Sequence, residues 1–270
     1  MKYEEFCFTA EDIVSQNEFV SLAEDNSGNL LFIKTDVLVK KEPIFWNDKH
    51  HPPGPWPPLQ KVWITGHSDY PMESSTLLGF EGQYSNLFSA NVDIQKEGIT
   101  PIPLGIQTHV GKGIIDLLLN CRLKPKGEGH LIFKSFRLAT YPGERCVIDH
   151  LFENQPWVYS KYPLSMEEYY TAIRNSKFVF CPRGNGFDTH RLWEVLYLGA
   201  IPVVRSSYLM NYFAKYLPIC LIHSWDQITP ELLEYEYERI MKTDTWDPSI
   251  LKMPYWREKI LATSKACGLD

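Results

Sequence analysis

Two arginines, a glutamate and two glycines are crowded into Arg183–Glu194, RGNGFDTHRLWE. Gly184 and Gly186 let a backbone approach a ligand closely, and Arg183 and Arg191 supply fixed positive charge. The apolar run Lys177–Cys181 (KFVFC) ahead of them reads as a strand, and Thr189–Leu198 behind them as a helix. A helix that starts beyond the carboxyl end of a parallel strand turns free amides and the positive end of its dipole outward, which suits a phosphate. At 3.6 residues per turn, with His190 at zero, Glu194 falls near ~40° and Arg191 near ~100°. These three therefore share one face at the helix start, while Leu192, Trp193 and Leu196 lie on the other. A carboxylate beside a phosphate is unfavourable unless hydroxyls donate to it, and a ribose offers a pair. Arg191 then meets a diphosphate and Glu194 clamps the ribose. Asn185, Asp188, Thr189 and His190 complete the loop and helix start that a nucleotide would touch. Taken alone, the same spacing also suits a helix capped by Asp188 or Thr189 that carries Arg191 and Glu194 as a solvated pair.

The elements needed to hold this segment can be traced along the chain. Leu30–Lys34 (LLFIK) reads as a strand that Asp36–Val39 continues, and Lys61–Thr65 (KVWIT) and Asn86–Ala90 as two more, the last followed by a loop up to Ile102. His50–Leu59, HHPPGPWPPL, has too many prolines for a helix and is a loop. Residues 106–129 read as a connection broken by Gly111, Gly113, Pro125, Gly127 and Gly129 around an apolar stretch at Ile114–Leu119, with the domain boundary there. Beyond it the pattern turns regular. Strand His130–Phe136 leads to helix Glu144–Phe152, strand Trp157–Tyr159 to helix Ser165–Asn175, and strands Ala200–Val204 and Ile219–Ile222 to helix Pro230–Lys242. Ser165 and Glu168 make an S-x-x-E capping box, and Met166, Tyr169, Tyr170 and Ile173 fall at i, i+3, i+4 and i+7 as the apolar positions of that helix. Ile250–Thr263 reads as a last helix. Strands alternating with helices imply an α/β protein with a doubly wound parallel sheet. The expected division is an acceptor-side domain over 1–120, a donor-side domain over 121–250, and a C-terminal helix over 251–270 that packs back across the boundary.

Composition narrows the chemistry. Of 270 residues, 44% are hydrophobic and 22% charged, enough for a sizeable core, and the net charge of −6 argues against a non-specific nucleic-acid binder. Eight Trp, 15 Tyr and 14 Phe mostly fill cores, with a minority free to line a cleft. The six cysteines form no CxxC or metal-ligand spacing. No signal peptide and no apolar run of about 20 residues is visible. The expectation is a soluble, cytoplasmic protein.

The long motif CPRGNGFDTHRLWEVLYLGAIPVV resembles the donor-binding signature of exostosin-type glycosyltransferases, with Cys181-Pro182, Gly184, Arg191, Glu194, Gly199 and Pro202-Val203 at the matching positions. The chain is similar to the compact soluble microbial and viral members of that family. The resemblance implies a GT-B fold, two Rossmann-like domains facing across a cleft, here with an abbreviated N-terminal one. It also implies inverting transfer of a sugar from a nucleoside diphosphate sugar, a UDP-sugar with xylose first, to a glycan or glycoprotein hydroxyl. A GDP-fucose-type transferase and a non-catalytic nucleotide-sugar or glycan-binding module are the alternatives. The chain contains no D-x-D, so no metal is expected, and arginines and helix amides must meet the leaving charge. Lys134, Arg137 and Arg145 flank or follow the strand at 130–136, a region that faces the donor in such enzymes. Arg137 is the first choice for a diphosphate contact and Arg145 the second. Inverting transfer needs a base for the acceptor proton. Asp69 in Thr65–Tyr70 (TGHSDY) is the candidate, with His67 the alternative and Glu73 a weaker one, though an Asx turn explains Asp69 nearly as well. Asp48, His50, His51 and Trp56 stand at the proline loop, where an acceptor could touch them.

Overall fold

Apolar runs buried on both faces form parallel sheets, and this chain builds two of them. The computed structural model describes residues 1–40, 61–80, 82–108, 113–127 and 129–268. Its first sheet holds β1 (Leu30–Lys34), β2 (Lys61–Gly66), β3 (Tyr84–Ser89) and β4 (Ile99–Pro101), parallel and in that order. The second holds β5 (His130–Lys134), β6 (Val158–Ser160), β7 (Ser176–Phe180), β8 (Ile201–Arg205) and β9 (Cys220–Ile222), also parallel, in the order β6-β5-β7-β8-β9. Phe32, Trp63, Phe88, Phe133, Phe178 and Phe180 are buried in the strands. The expected α/β architecture of two Rossmann-like units is what the chain adopts.

The first half carries helices α1 (Gln16–Asp25), α2 (Thr35–Lys40), α3 (Ser74–Leu77) and α4 (Ile114–Leu123). The second carries α5 (Pro142–Phe152), α6 (Met166–Arg174), α7 (His190–Leu198), α8 (Tyr208–Phe213) and α9 (Pro230–Lys242). The last helix, α10 (Met253–Ala266), lies against β2. The capping box of α6 forms: Ser165 Oγ accepts from the Glu168 amide, and the Glu168 carboxylate accepts from the Ser165 amide at 2.9 Å.

Several expectations need correction. The continuation Asp36–Val39 is helix α2 rather than strand: its β-branched residues suit a strand, but Asp36 in the first turn and Lys40 in the last match the helix dipole, and Thr35 and Leu38 bury one face. The connection at 106–129 contains α4, because Gly113 starts a helix instead of breaking the stretch. Gly113 caps it from a left-handed φ of 93°, while Leu118 and Cys121 face inward. The short strand β4 falls where only a loop was expected. Pro101 is tolerated there because β4 is an edge strand. Helix α1, unassigned from sequence, precedes β1. The proline loop lies outside the described residues.

The two halves meet at Asp188, whose carboxylate is 3% exposed. It accepts from the Leu104 amide of the first half at 2.8 Å and from the Trp193 indole at 2.9 and 3.0 Å. The Asp188 amide donates to Asn91 Oδ1 at 2.7 Å, and Asn91 Nδ2 donates to the Ser68 carbonyl at 2.9 Å. Gly105 makes this close meeting possible: its φ is 69°, and a Cβ there would stand 2.1 Å from the Val14 carbonyl oxygen. The N-terminal segment also crosses over. Tyr3 donates to the Leu196 and Ala200 carbonyls at 3.0 and 2.6 Å, and Tyr197 accepts from the Val14 amide at 2.9 Å.

Removing the Asp188 carboxylate strands two donors between the halves, so Asp188→Ala should cost about 2–5 kcal/mol in urea unfolding. Burial pushes this carboxyl up to about 7, against the lowering effect of the Leu104 and Thr189 amides and the Trp193 indole. A carboxyl raised in the folded state contributes stability that is complete below its unfolded value and is lost as pH rises through the folded one. The stability gap between wild type and Asp188→Ala should therefore narrow from pH 5 to pH 8. A gap that widens over that range would contradict this role.

Candidate functional site

In open parallel sheets the crevice forms where consecutive connections leave in opposite directions. Here that point lies between β5 and β7, since β6 extends the sheet to one side and β8 and β9 to the other. The loops beyond β5 and β7 and the start of α7 face the carboxyl ends of the first sheet. Between them is a cleft of about 760 Å³. Asp36 and His67–Tyr70 line it from the first half; Arg145, Tyr169, Gly184–Gly186, Arg191 and Glu194 line it from the second.

Arg145 and Arg191 form the cationic floor. Arg145 is 7% exposed and is fixed by donating to the Arg183 carbonyl at 3.1 Å and the Arg137 carbonyl at 2.9 Å. The buried Phe136 ring serves both guanidinium groups, with its centroid 5.7 Å from Arg145 and 5.9 Å from Arg191. Burial, and then the positive charge of Arg191, lower the Arg145 pKa to about 10. Arg191 Nη1 is buried without a hydrogen-bond partner in the protein. Holding two like charges together in a half-dry cleft is costly, and an anion bridging them would relieve that cost.

Glu194 stands beside this pair, 8% exposed. Its carboxylate accepts from the Tyr169 hydroxyl at 3.1 Å and the Tyr170 hydroxyl at 3.4 Å. Burial raises its pKa, opposed by Arg191 and then by the two phenols. The carboxylate keeps lone pairs for further donors, such as a diol.

The structure brings together most of the residues singled out from sequence. Gly184, Asn185, Gly186, Asp188, Thr189, His190, Arg191 and Glu194 line the cleft, as do His67 and Asp69. Gly186 is required by close approach, since a Cβ would meet Asn91 Oδ1 at 2.8 Å. Three of these side chains also join the halves: Asp188 as described, His190 through Nδ1 to the Gly105 carbonyl at 2.7 Å, and Asn185 through Nδ2 to Asp69 Oδ2 at 3.1 Å. His67 takes a left-handed φ of 51°, and its amide donates to Gln16 Oε1.

Other placements differ. Arg137 is exposed and does not line the cleft, so the order of preference reverses and Arg145 is the inward arginine. Proximity to the strand end misled here: Arg145 reaches the cleft from the start of α5. Arg183 also stays out of the lining. Its guanidinium is sandwiched 4.5 Å from the Tyr141 centroid and 4.1 Å from that of Phe187, and it donates to the Asn185 carbonyl at 2.8 Å, so it braces the loop. Lys134 pairs with Asp149 at 2.7 Å, and Glu73 is exposed outside the lining. Asp48, His50, His51 and Trp56 lie outside the described residues.

Sequence reasoning missed Asp36, Phe136, Tyr169 and Tyr170. Asp36 was hidden by the strand reading, yet its carboxylate accepts from the Ser68 hydroxyl at the cleft wall. The tyrosines counted only as apolar positions of α6.

The fold and cleft define a two-domain α/β protein with paired arginines and a buried carboxylate between its halves. Residues 138–245, which include both arginines, Tyr169 and Glu194, match the family model described as the RXYLT1 C-terminal domain, a xylosyltransferase family. The match points to a glycosyltransferase and agrees at that level with the exostosin-type resemblance. No curated protein matches the chain. Among solved structures, the UDP-GlcNAc 2-epimerase of Methanocaldococcus jannaschii is similar at 10% identity and a TM-score of 0.39, over 93% of this chain and 80% of that one. Among the described residues, no helix is long and apolar enough to cross a membrane.

The geometry separates the arginines experimentally. A hydrogen bond to a charged group is worth about 1.5–3 kcal/mol, so Arg145→Gln should weaken pyrophosphate binding about tenfold or more in calorimetry. Arg137→Ala should change it by less than about twofold, the scale of an exposed charge. The reverse ranking would restore Arg137 as the anion contact.

Proposed function

We propose that this protein is a glycosyltransferase that moves a sugar from a nucleoside diphosphate sugar, UDP-xylose first, to a hydroxyl of a glycan or glycoprotein acceptor, with inversion and without a metal. The observation that carries the reading is the pair Arg145 and Arg191, held together over Phe136 with Arg191 Nη1 lacking a protein partner, next to the buried Glu194. A nucleoside diphosphate sugar has the complementary chemistry, a doubly charged diphosphate carried on C5′ of the ribose whose 2′- and 3′-hydroxyls form the diol. The family match over 138–245 supports the same class.

In the reaction, the bond from the anomeric carbon to the β-phosphate oxygen breaks as the acceptor oxygen attacks from the opposite face. The electron pair leaves with the diphosphate, where Arg145, Arg191 and the amides at the start of α7 meet the growing charge. The acceptor proton goes to a base on the first-half wall. Asp69 is the first candidate, held across the cleft by Asn185, and His67 is the alternative. Glu194 keeps the ribose in register, so the sugar projects toward that wall.

The deciding experiment is a transfer assay over a panel of UDP- and GDP-sugars, with nucleotide release and product both measured. UDP-xylose should support transfer, and excess EDTA should leave the rate within about twofold, because cations on the protein do the work of a bound metal. Turnover restored only by added manganese would reject the metal-free mechanism, and donor binding without transfer to any acceptor would favour a binding module.

General base catalysis is worth about 10²–10⁴-fold, so Asp69→Asn should lose about that much turnover with UDP affinity kept. If His67→Ala behaves that way and Asp69→Asn transfers normally, the base is His67.

A further inference from the structure

Arg191 and Glu194 are three residues apart on α7, the spacing at which opposite charges on a helix normally close into an ion pair. Here they stay apart. Glu194 Oε2 is taken by the Tyr169 hydroxyl at 3.1 Å, while the Arg191 guanidinium lies over the Tyr169 ring, 5.2 Å from its centroid, with Nη1 unpartnered. One side chain thus holds the acid by its polar tip and the base by its face. Tyr169 is itself well held: it belongs to α6, whose start is fixed by the Ser165–Glu168 capping box, and its ring packs 6.2 Å from Phe133 and 5.7 Å from Tyr170.

We propose that Tyr169 is a positioning residue that keeps Arg191 and Glu194 from neutralising each other, so that the carboxylate stays open to a diol and the guanidinium to a phosphate. This inference rests on the nucleotide-sugar reading of the cleft and adds its selectivity. The ligand class is a ribonucleoside diphosphate, in which the same molecule must satisfy both groups at once. A closed ion pair would leave the cleft with one cation fewer for the diphosphate and no acceptor for the diol.

The test uses pyrophosphate, UDP and 2′,3′-dideoxy-UDP as calorimetric probes of the full chain. Wild type should prefer UDP to the dideoxy analogue about tenfold, the scale of hydrogen bonds to a buried carboxylate. Tyr169→Phe keeps the ring and removes the hydroxyl, so the freed carboxylate should swing to Arg191. Pyrophosphate affinity should then fall about fivefold, the scale of a partly exposed ion pair, and the diol preference should shrink to about twofold. The decisive variant is Tyr169→Phe combined with Glu194→Gln, which removes the competing charge and should return pyrophosphate affinity to within about twofold of wild type. A merely structural role for the hydroxyl predicts no such rescue. Thermal unfolding checks that each variant is folded, and a double variant that recovers pyrophosphate binding is its own evidence of an intact cleft. A wild type that binds UDP alongside a Tyr169→Phe protein with unchanged pyrophosphate affinity and diol preference overturns the inference alone, as does failure of the rescue in a folded double variant. A wild type that binds no UDP overturns both this inference and the functional reading.

Discussion

The carboxylate of Asp188 sits where the two halves come together, and the geometry of the cleft depends on it. It immobilises the Leu104 amide from one side and the Trp193 indole from the other, with almost no water to share the load. Trp193 is on α7, the helix that also presents Arg191 and Glu194, and Leu104 leads into Gly105, which receives His190. One buried acid therefore fixes both the distance between the sheets and the rotation of the helix that carries the cleft-facing groups. In a protein whose ligand would lie between two domains, such a contact sets the starting width of the opening.

The second constraint is electrostatic and local. The chain as a whole carries a net charge of −6, yet the cleft collects Arg145 and Arg191 over one aromatic ring. Nearby acids are assigned elsewhere. Glu144 accepts from the Arg183 amide at 3.1 Å and faces Arg205, while Glu194 is occupied by tyrosine hydroxyls. The result is positive charge that is not spent inside the protein. An overall acidic surface is no obstacle, because at physiological salt a field fades over about 8 Å and the cleft is governed by what lines it.

Local signals predicted well where local physics decides. The capping box of α6, the bounds of α9 and the strand–loop–helix around Arg183–Glu194 all follow from spacing, turn chemistry and helix period. The face shared by Arg191 and Glu194 was legible for the same reason. What tertiary contacts decide was hidden. Arg137 looked closer to the ligand than Arg145 because it follows the strand directly, but packing turns Arg145 inward and leaves Arg137 in water. Asp188 read as part of the nucleotide loop or, alternatively, as a helix cap, whereas its carboxylate reaches residue 104 across the domain junction. Asp36 was lost with the misassigned strand, and Tyr169 looked like one more apolar position because nothing in its spacing shows that its hydroxyl and face serve two different partners.

The crossing of the N-terminal segment affects how the chain can be assembled. Tyr3 finds its acceptors 193 and 197 residues later, and the Val14 amide waits for Tyr197. A chain emerging from the ribosome at about 5–20 residues per second exposes Tyr3, Phe6 and Val14, all buried in the finished protein, for at least several seconds before α7 exists to receive them. The first sheet can form early, but its leading segment must stay unpaired until the second half is made. This segment is therefore made well before its partners, and it is completed only when α7 and the turn into β8 have been added.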